Sequence, residues 1–192
     1  GHSEVVQVLL AAGASKDQAK KDGATPLFIA SHQGHSEVVQ VLLAAGASKD
    51  QAFNGRATPL FIASKEGHSE VVQVLLAAGA SKDQAKKDGA TPLFIASQEG
   101  HSEVVQVLLA AGASKDQARN DGATPLFIAS CKGHSEVVQV LLAAGASKDQ
   151  AKKDGATPLY IASQEGHSEV VQVLLAAGAS KDQAKKDGAT PL

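Results

Sequence analysis

Six histidines occupy one position of a recurring Gly-His pair, at His2, His35, His68, His101, His134 and His167, and the seventh is His32. Imidazole is the commonest metal ligand among side chains, so a ladder of this kind raises the question of a bound ion. Spacing answers it. Neighbouring packed helices lie roughly 8 to 10 Å apart, whereas nitrogens that share one zinc each sit about 2.0 to 2.1 Å from it. Equivalent histidines therefore cannot hold a common ion, and each ring is expected at a helix start, hydrogen-bonded to the adjoining loop. Cys131 and His134 are spaced as a nucleophile and its base could be, but Gly133 breaks the helix between them and no third group orients the pair. The acids of Asp17-Gln18-Ala19-Lys20-Lys21-Asp22-Gly23 do not alternate as calcium ligands must, and two lysines stand among the candidate donors. That run reads as a solvated surface, and Ser36-Glu37 reads as helix capping. No catalytic, cofactor-binding or metal-binding residue is assigned, and the chain is not expected to be an enzyme.

The same residues are better explained by repetition. Ala-Thr-Pro-Leu recurs at 24–27, 57–60, 90–93, 123–126, 156–159 and 189–192, and a second string opening Gly-His-Ser-Glu-Val-Val-Gln-Val-Leu-Leu begins at Gly1, Gly34, Gly67, Gly100, Gly133 and Gly166, always 33 residues apart. Such a period implies a stacked array in which each unit touches only its neighbours. The chain divides as a partial unit 1–19, units 20–52, 53–85, 86–118, 119–151 and 152–184, and a partial unit 185–192, in one array spanning 1–192.

Within a unit, Thr25-Pro26 is a helix start. A threonine hydroxyl can accept from a free amide of the first turn, and proline suits the first helical position. The short helix that follows carries Leu27, Phe28, Ile29, Ala30 and Ser31 and stops at Gly34. Its small residues allow close backbone approach. A second helix begins with His35 or Ser36 as its cap and runs to Gly46. Val38, Val39, Val41, Leu42, Leu43 and Ala45 leave only Glu37, Gln40 and Ala44 as an exposed stripe, so this helix is expected to be packed on nearly all sides. The linking segments, with Lys-Asp-Gly and Asn-Gly turn signals, predict a hairpin-like finger rather than a strand.

Gly-x-Thr-Pro-Leu, then Ala, then Gly-His-x-Glu-Val-Val-x-x-Leu-Leu and Gly-Ala at this period resembles the ankyrin repeat over the whole chain. The resemblance implies an all-α solenoid of antiparallel helix pairs with β-turn fingers, whose fingers and first helices form a concave face that grips other proteins. The chain departs from the family pattern in places. The usual histidine after Thr-Pro-Leu is Phe28, Phe61, Phe94, Phe127 or Tyr160, the acid usual at the finger start is mostly lysine, and Arg56 stands where glycine is normal.

Apart from Tyr160 in place of phenylalanine, differences between copies occur in two places that the resemblance puts side by side on that face. One is the finger tips: Lys20-Lys21, Phe53-Asn54 with Arg56, Lys86-Lys87, Arg119-Asn120 and Lys152-Lys153. The other is the pair ending each first helix: His32-Gln33, Lys65-Glu66, Gln98-Glu99, Cys131-Lys132 and Gln164-Glu165. These are the candidate partner-binding residues, with Phe53 expected to be mostly exposed. Exposed positions free to drift after duplication, a surface tuned to a partner, and an engineered or consensus-derived scaffold all fit the near-identity of the rest.

A net charge of −2 gives no general field for nucleic acid or anionic membrane, and the absence of aromatics interleaved with the basic residues also disfavours nucleic acid. A protein partner is expected, an acidic one being slightly favoured by a mildly basic finger edge. No apolar run approaches the roughly 20 residues of a membrane span, and no signal peptide is read. One cysteine favours a reducing, intracellular and cytoplasmic setting. Val5, Val6, Leu9 and Leu10 at one end, and Val170, Val171, Leu174 and Leu175 at the other, are expected to lack covering helices, which predicts weak head-to-tail self-association and a self-assembling solenoid as the alternative function.

Overall fold

The computed structural model describes residues 2–54 and 57–191. The expectations placed on Gly1, Gly55, Arg56 and Leu192 lie outside these residues. Eleven helices appear among the described residues and alternate in two kinds. The first kind comprises α2 (Pro26–His32), α4 (Pro59–Glu66), α6 (Pro92–Glu99), α8 (Pro125–Lys132) and α10 (Pro158–Gln164). The second comprises α1 (Ser3–Ala11), α3 (Ser36–Ala44), α5 (Ser69–Ala77), α7 (Ser102–Ala110), α9 (Ser135–Ala143) and α11 (Ser168–Ala176). Each first helix packs on its following second helix and on the first helices of adjacent copies, and second helices likewise pack on one another. The result is an all-α solenoid.

The starts of the first helices follow from threonine chemistry. The hydroxyl oxygen of Thr25, Thr58, Thr91, Thr124 and Thr157 accepts from the main-chain N–H three residues on, at 3.1 to 3.2 Å, and proline follows each threonine. At the other end Gly67, Gly100 and Gly133 terminate their helices in the left-handed conformation. The second helices start differently from expectation. His35 and its equivalents occupy the capping position, but none of their side chains caps the helix.

The ring instead reaches into the preceding copy. Nε2 of His68, His101, His134 and His167 lies 2.9 to 3.1 Å from the main-chain oxygen of His32, Lys65, Gln98 and Cys131 respectively. A carbonyl can only accept, so the nitrogen donates. Each ring thereby satisfies a carbonyl in the last turn of the previous first helix, where a helix leaves acceptors without partners. The approach also leaves no room beside the intervening glycine. A Cβ on Gly100, whose φ is +80°, would lie 2.8 Å from the His134 ring.

A second clamp closes the opposite end of each helix pair. Asp17, Asp50, Asp83, Asp116 and Asp149 accept from the main-chain N–H of Ser48, Ser81, Ser114, Ser147 and Ser180 at 2.8 Å. Asp22 accepts from the N–H of Ala24 at 3.0 Å. The aspartates are therefore structural acceptors rather than parts of a merely solvated run.

Between the clamps lie aliphatic layers. Leu27, Leu60, Leu93 and Leu126 are wholly buried, as are Ala63, Ala96 and Ala129, and the small residues permit the close stacking of first helices. Ser64, Ser97 and Ser130 donate to the carbonyls of Leu60, Leu93 and Leu126, whereas the buried hydroxyl of Ser31 has no hydrogen-bond partner among the described residues.

Two packing expectations need correction. In α3, Val38, Val39 and Leu42 are buried, but Val41 and Leu43 are half-buried and Ala45 joins Glu37, Gln40 and Ala44 on the exposed side, because only the faces toward the first helices and the adjacent second helices are covered. In α11, Val170 and Leu174 are buried, since they face their own first helix, while Leu175 is 45% exposed. In α1 no residue is buried, and Val5, Val8 and Leu9 are each more than half exposed.

Fingers connect the pairs. In the first, the N–H of Lys20 donates to Ala24 and that of Gly23 to Lys20, at 2.9 and 2.8 Å. Among the described residues there is an isolated bridge, Phe53 to Ala57, and no extended strand. Adjacent fingers are joined through the main chain: Asn120, Lys153 and Lys186 donate to Asp88, Asp121 and Asp154. No helix among the described residues is long and apolar enough to cross a membrane.

The glycine and histidine at each junction form one unit, which a mutant cycle can expose. Gly100→Ala should cost more than the roughly 1 to 2 kcal/mol of a left-handed alanine, because the His134 ring must also move. In a His134→Ala background the same change should cost only the left-handed penalty. Equal losses in both backgrounds, measured by urea unfolding, would show that ring and glycine act independently.

Candidate functional site

The candidate face is built where fingers meet first helices, and its base is a ladder of aromatic rings. The ring that replaces histidine after Thr-Pro-Leu sits beneath the first finger residue of the next copy, 25 residues on. Lys86 Nζ lies 5.1 Å from the Phe61 centroid, the Arg119 guanidinium carbon 5.3 Å from Phe94, Lys152 Nζ 5.3 Å from Phe127 and Lys185 Nζ 5.0 Å from Tyr160. The two departures from the family pattern are thus partners in one contact, a cation held over the face of a ring.

Phe53 occupies this same position and corrects an expectation. It is half-buried rather than mostly exposed, because it stacks on Phe28 with centroids 4.8 Å apart and planes 21° apart. Here a ring–ring contact takes the place of the cation.

Carboxylates pair with three of the four capping cations. Arg119 holds Asp121 in a two-pronged contact, Nε to Oδ1 at 3.0 Å and Nη2 to Oδ2 at 2.7 Å. Lys152 lies 3.5 Å from Asp121 and 3.9 Å from Asp154, and Lys185 lies 3.4 Å from Asp187. The hydrogen bonds from Arg119 are the main cause that holds the Asp121 carboxyl far below its ordinary range, against a smaller opposing effect of burial, with the N–H of Ala123 assisting. Asp121 in turn raises the Arg119 pKa. Asp187 is lowered chiefly by the N–H of Ala189, and Lys185 is raised chiefly by its bond to Asp187. Among the described residues, Lys86 has no carboxylate in ion-pair range. The position that supplies Asp121 to Lys152 is Gly55 in the finger preceding Lys86.

The outer finger residues Lys21, Asn54, Lys87, Asn120 and Lys153 are exposed, as is Lys20. Asn120 Nδ2 also donates to the Lys87 carbonyl at 2.9 Å. At the ends of the first helices His32, Gln33, Lys65, Glu99, Lys132, Gln164 and Glu165 are exposed, and Glu66, Gln98 and Cys131 are half-buried. Glu66 lies 3.2 Å from Lys65 and 3.8 Å from His32, and Gln98 donates to Glu99 at 2.9 Å. The histidine clamp takes the main-chain oxygens of His32, Lys65, Gln98 and Cys131, so the side chains at those positions can vary without loosening the frame. The same clamp engages the His134 ring at Gln98, which directs its Nε2 away from any role as a base for Cys131. Among the described residues no group of three His, Cys, Asp or Glu is placed to hold a metal ion.

Lys65, Lys86, Gln98, Glu99 and Arg119, drawn from three copies, line one groove of about 300 Å³ floored by Phe61, Phe94 and Ile95. The remaining candidates continue the row on either side and do not enter this groove. Asp88, which also lines it, and Asp121 were missed in the sequence, although a constant 25-residue offset between ring and cation, with an acid two residues on, was there to be read. A larger cavity of about 430 Å³, lined by His2, Val6, Pro26, Ile29 and Val38 among others, lies beside α1. In the next copy the equivalent surface is covered by α2, so that cavity is a packing surface of the array.

The family described as ankyrin repeats (3 copies) matches the chain over residues 1–86, 50–119 and 78–152, and the single ankyrin repeat matches residues 154–186. No curated protein matches the chain.

The state of Asp121 gives a pH test. Its carboxyl has a lower pKa in the folded chain than its ordinary value of 3.8, so its contribution to stability is present above that value and fades as pH falls through the folded-state pKa. Asp121→Asn should lower the melting temperature at neutral pH, and the gap to the parent chain should close as the buffer is acidified below the carboxylate range. A gap that stayed constant with pH would contradict the ion-pair account.

Proposed function

Because this chain belongs to the ankyrin-repeat family, whose members generally serve as protein-binding modules, we propose that it is a non-catalytic binding module that grips a protein partner with the concave face of its fingers and first helices. The observation that carries this reading is where the copies differ. Every second helix has one sequence, whereas the finger tips and the pair ending each first helix change from copy to copy, and Lys65, Lys86, Gln98, Glu99 and Arg119 from both sets line one groove. Fixed main-chain clamps beneath variable side chains suit a surface selected for contact while its support is held constant.

Capture by the immobilised chain tests it. Protein retained by the parent should be lost when Lys65, Gln98, Glu99 and Lys132 are changed to alanine. It should be kept when the second-helix residues Glu70, Gln73, Glu103 and Gln106 are changed instead, with circular dichroism showing both variants folded. Loss only with the second-helix changes would move the site to the opposite face and overturn the reading.

A further inference from the structure

Charge is sorted along each helix pair. Of the 18 Lys and Arg, 16 fall in the segments that run from the end of one second helix to the start of the next first helix, together with all 11 Asp, a balance of +5. The other two cations, Lys65 and Lys132, fall with all 9 Glu around the loop joining the two helices of a pair, a balance of −7. A first helix of 7 or 8 residues separates these two ends by about 10 to 12 Å, more than a Debye length at physiological salt.

Within the fingers the two basic positions are not equivalent. The inner one lies over a ring at Lys86, Arg119, Lys152 and Lys185, and Arg119, Lys152 and Lys185 are also tied to aspartates. The outer one is Lys21, Lys87, Lys153 or Lys186, with Asn54 and Asn120 in the other two fingers; the four lysines are exposed, and no carboxylate among the described residues is in ion-pair range of them. Main-chain bonds join the Lys153 finger directly to the Lys186 finger, and join the Lys87 finger to the Lys153 finger through that of Asn120.

Resting on the protein-binding reading above, we propose that the outer finger lysines Lys87, Lys153 and Lys186, with Lys21 in the first finger, are the contact row for an acidic polypeptide segment that runs along the fingers. Their ammonium groups meet a partner's carboxylates without first breaking an internal ion pair. The carboxylate-rich end of the helix pairs sets the orientation by repelling the same segment there. A nucleic acid is the poorer fit. A single strand is held on stacking platforms beside the cations, and the aromatic rings here are already covered by Lys86, Arg119, Lys152, Lys185 or Phe53.

Selection of random phage-displayed peptides on the whole chain provides the test, with oligothymidylate as a second probe. The selected peptides should be enriched in Asp and Glu and lose affinity as salt rises. They should bind about tenfold more weakly to the Lys87→Gln, Lys153→Gln, Lys186→Gln chain, but unchanged to Lys82→Gln, Lys115→Gln, Lys148→Gln. Peptides without acid enrichment that depend on Gln98 and Lys132 would overturn this inference and leave the binding face standing. Peptides indifferent to every residue of that face would overturn both. Oligothymidylate binding as tightly as the peptides through the same lysines would replace the acidic polypeptide with a nucleic acid.

Discussion

The whole structure depends on the junction between one helix pair and the next. A pair of helices of 7 to 9 residues is too short to be stable alone in water and has too little interior of its own, so its apolar faces must be covered by neighbours. Two polar clamps align that junction, the histidine ring on a helix-end carbonyl and the aspartate on a serine N–H, with aliphatic layers between. Each hydrogen bond contributes on the order of 1 kcal/mol. Their regular recurrence holds successive pairs in the same register.

The aromatic ladder adds a third contact at the finger base and ties two sequence oddities into one device. With phenylalanine in place of histidine after Thr-Pro-Leu, the threonine hydroxyl still caps the helix, and the ring becomes a seat for the next finger's cation. An exposed contact of this type is worth about 0.5 to 1 kcal/mol. Its larger effect is on geometry, since it fixes the root of each finger that follows a ring and leaves the tip residue exposed. Phe53 shows that the seat tolerates a second ring in place of a cation.

Local signals made the elements legible in the sequence. Thr-Pro marked the starts of first helices, left-handed glycines their ends, and Lys-Asp-Gly the fingers. Contacts between copies were not legible, because nothing local announces them: His68 finds its acceptor 36 residues earlier, Ser81 its aspartate 31 earlier, and Phe53 its partner ring 25 earlier. Phe53 looked exposed because its immediate neighbours are polar. Val170 and Leu174 looked uncovered because their cover was assigned to a following copy instead of their own first helix. The candidate face was visible as the place where copies disagree, but the division of finger cations into tied and free required the ring and carboxylate positions.

The central claim is that stability resides in the invariant junctions and main-chain clamps, leaving the varied side chains free for contact. Guanidinium unfolding of a chain carrying Lys65→Gln together with Gln98→Lys, compared with one carrying His101→Ala together with His134→Ala, tests it most directly. The side-chain exchange should move stability by no more than about 0.5 kcal/mol, since His101 and His134 hold the main-chain oxygens at those positions. The histidine changes should lower it clearly. A loss from the exchange as large as that from removing the histidines would contradict the account.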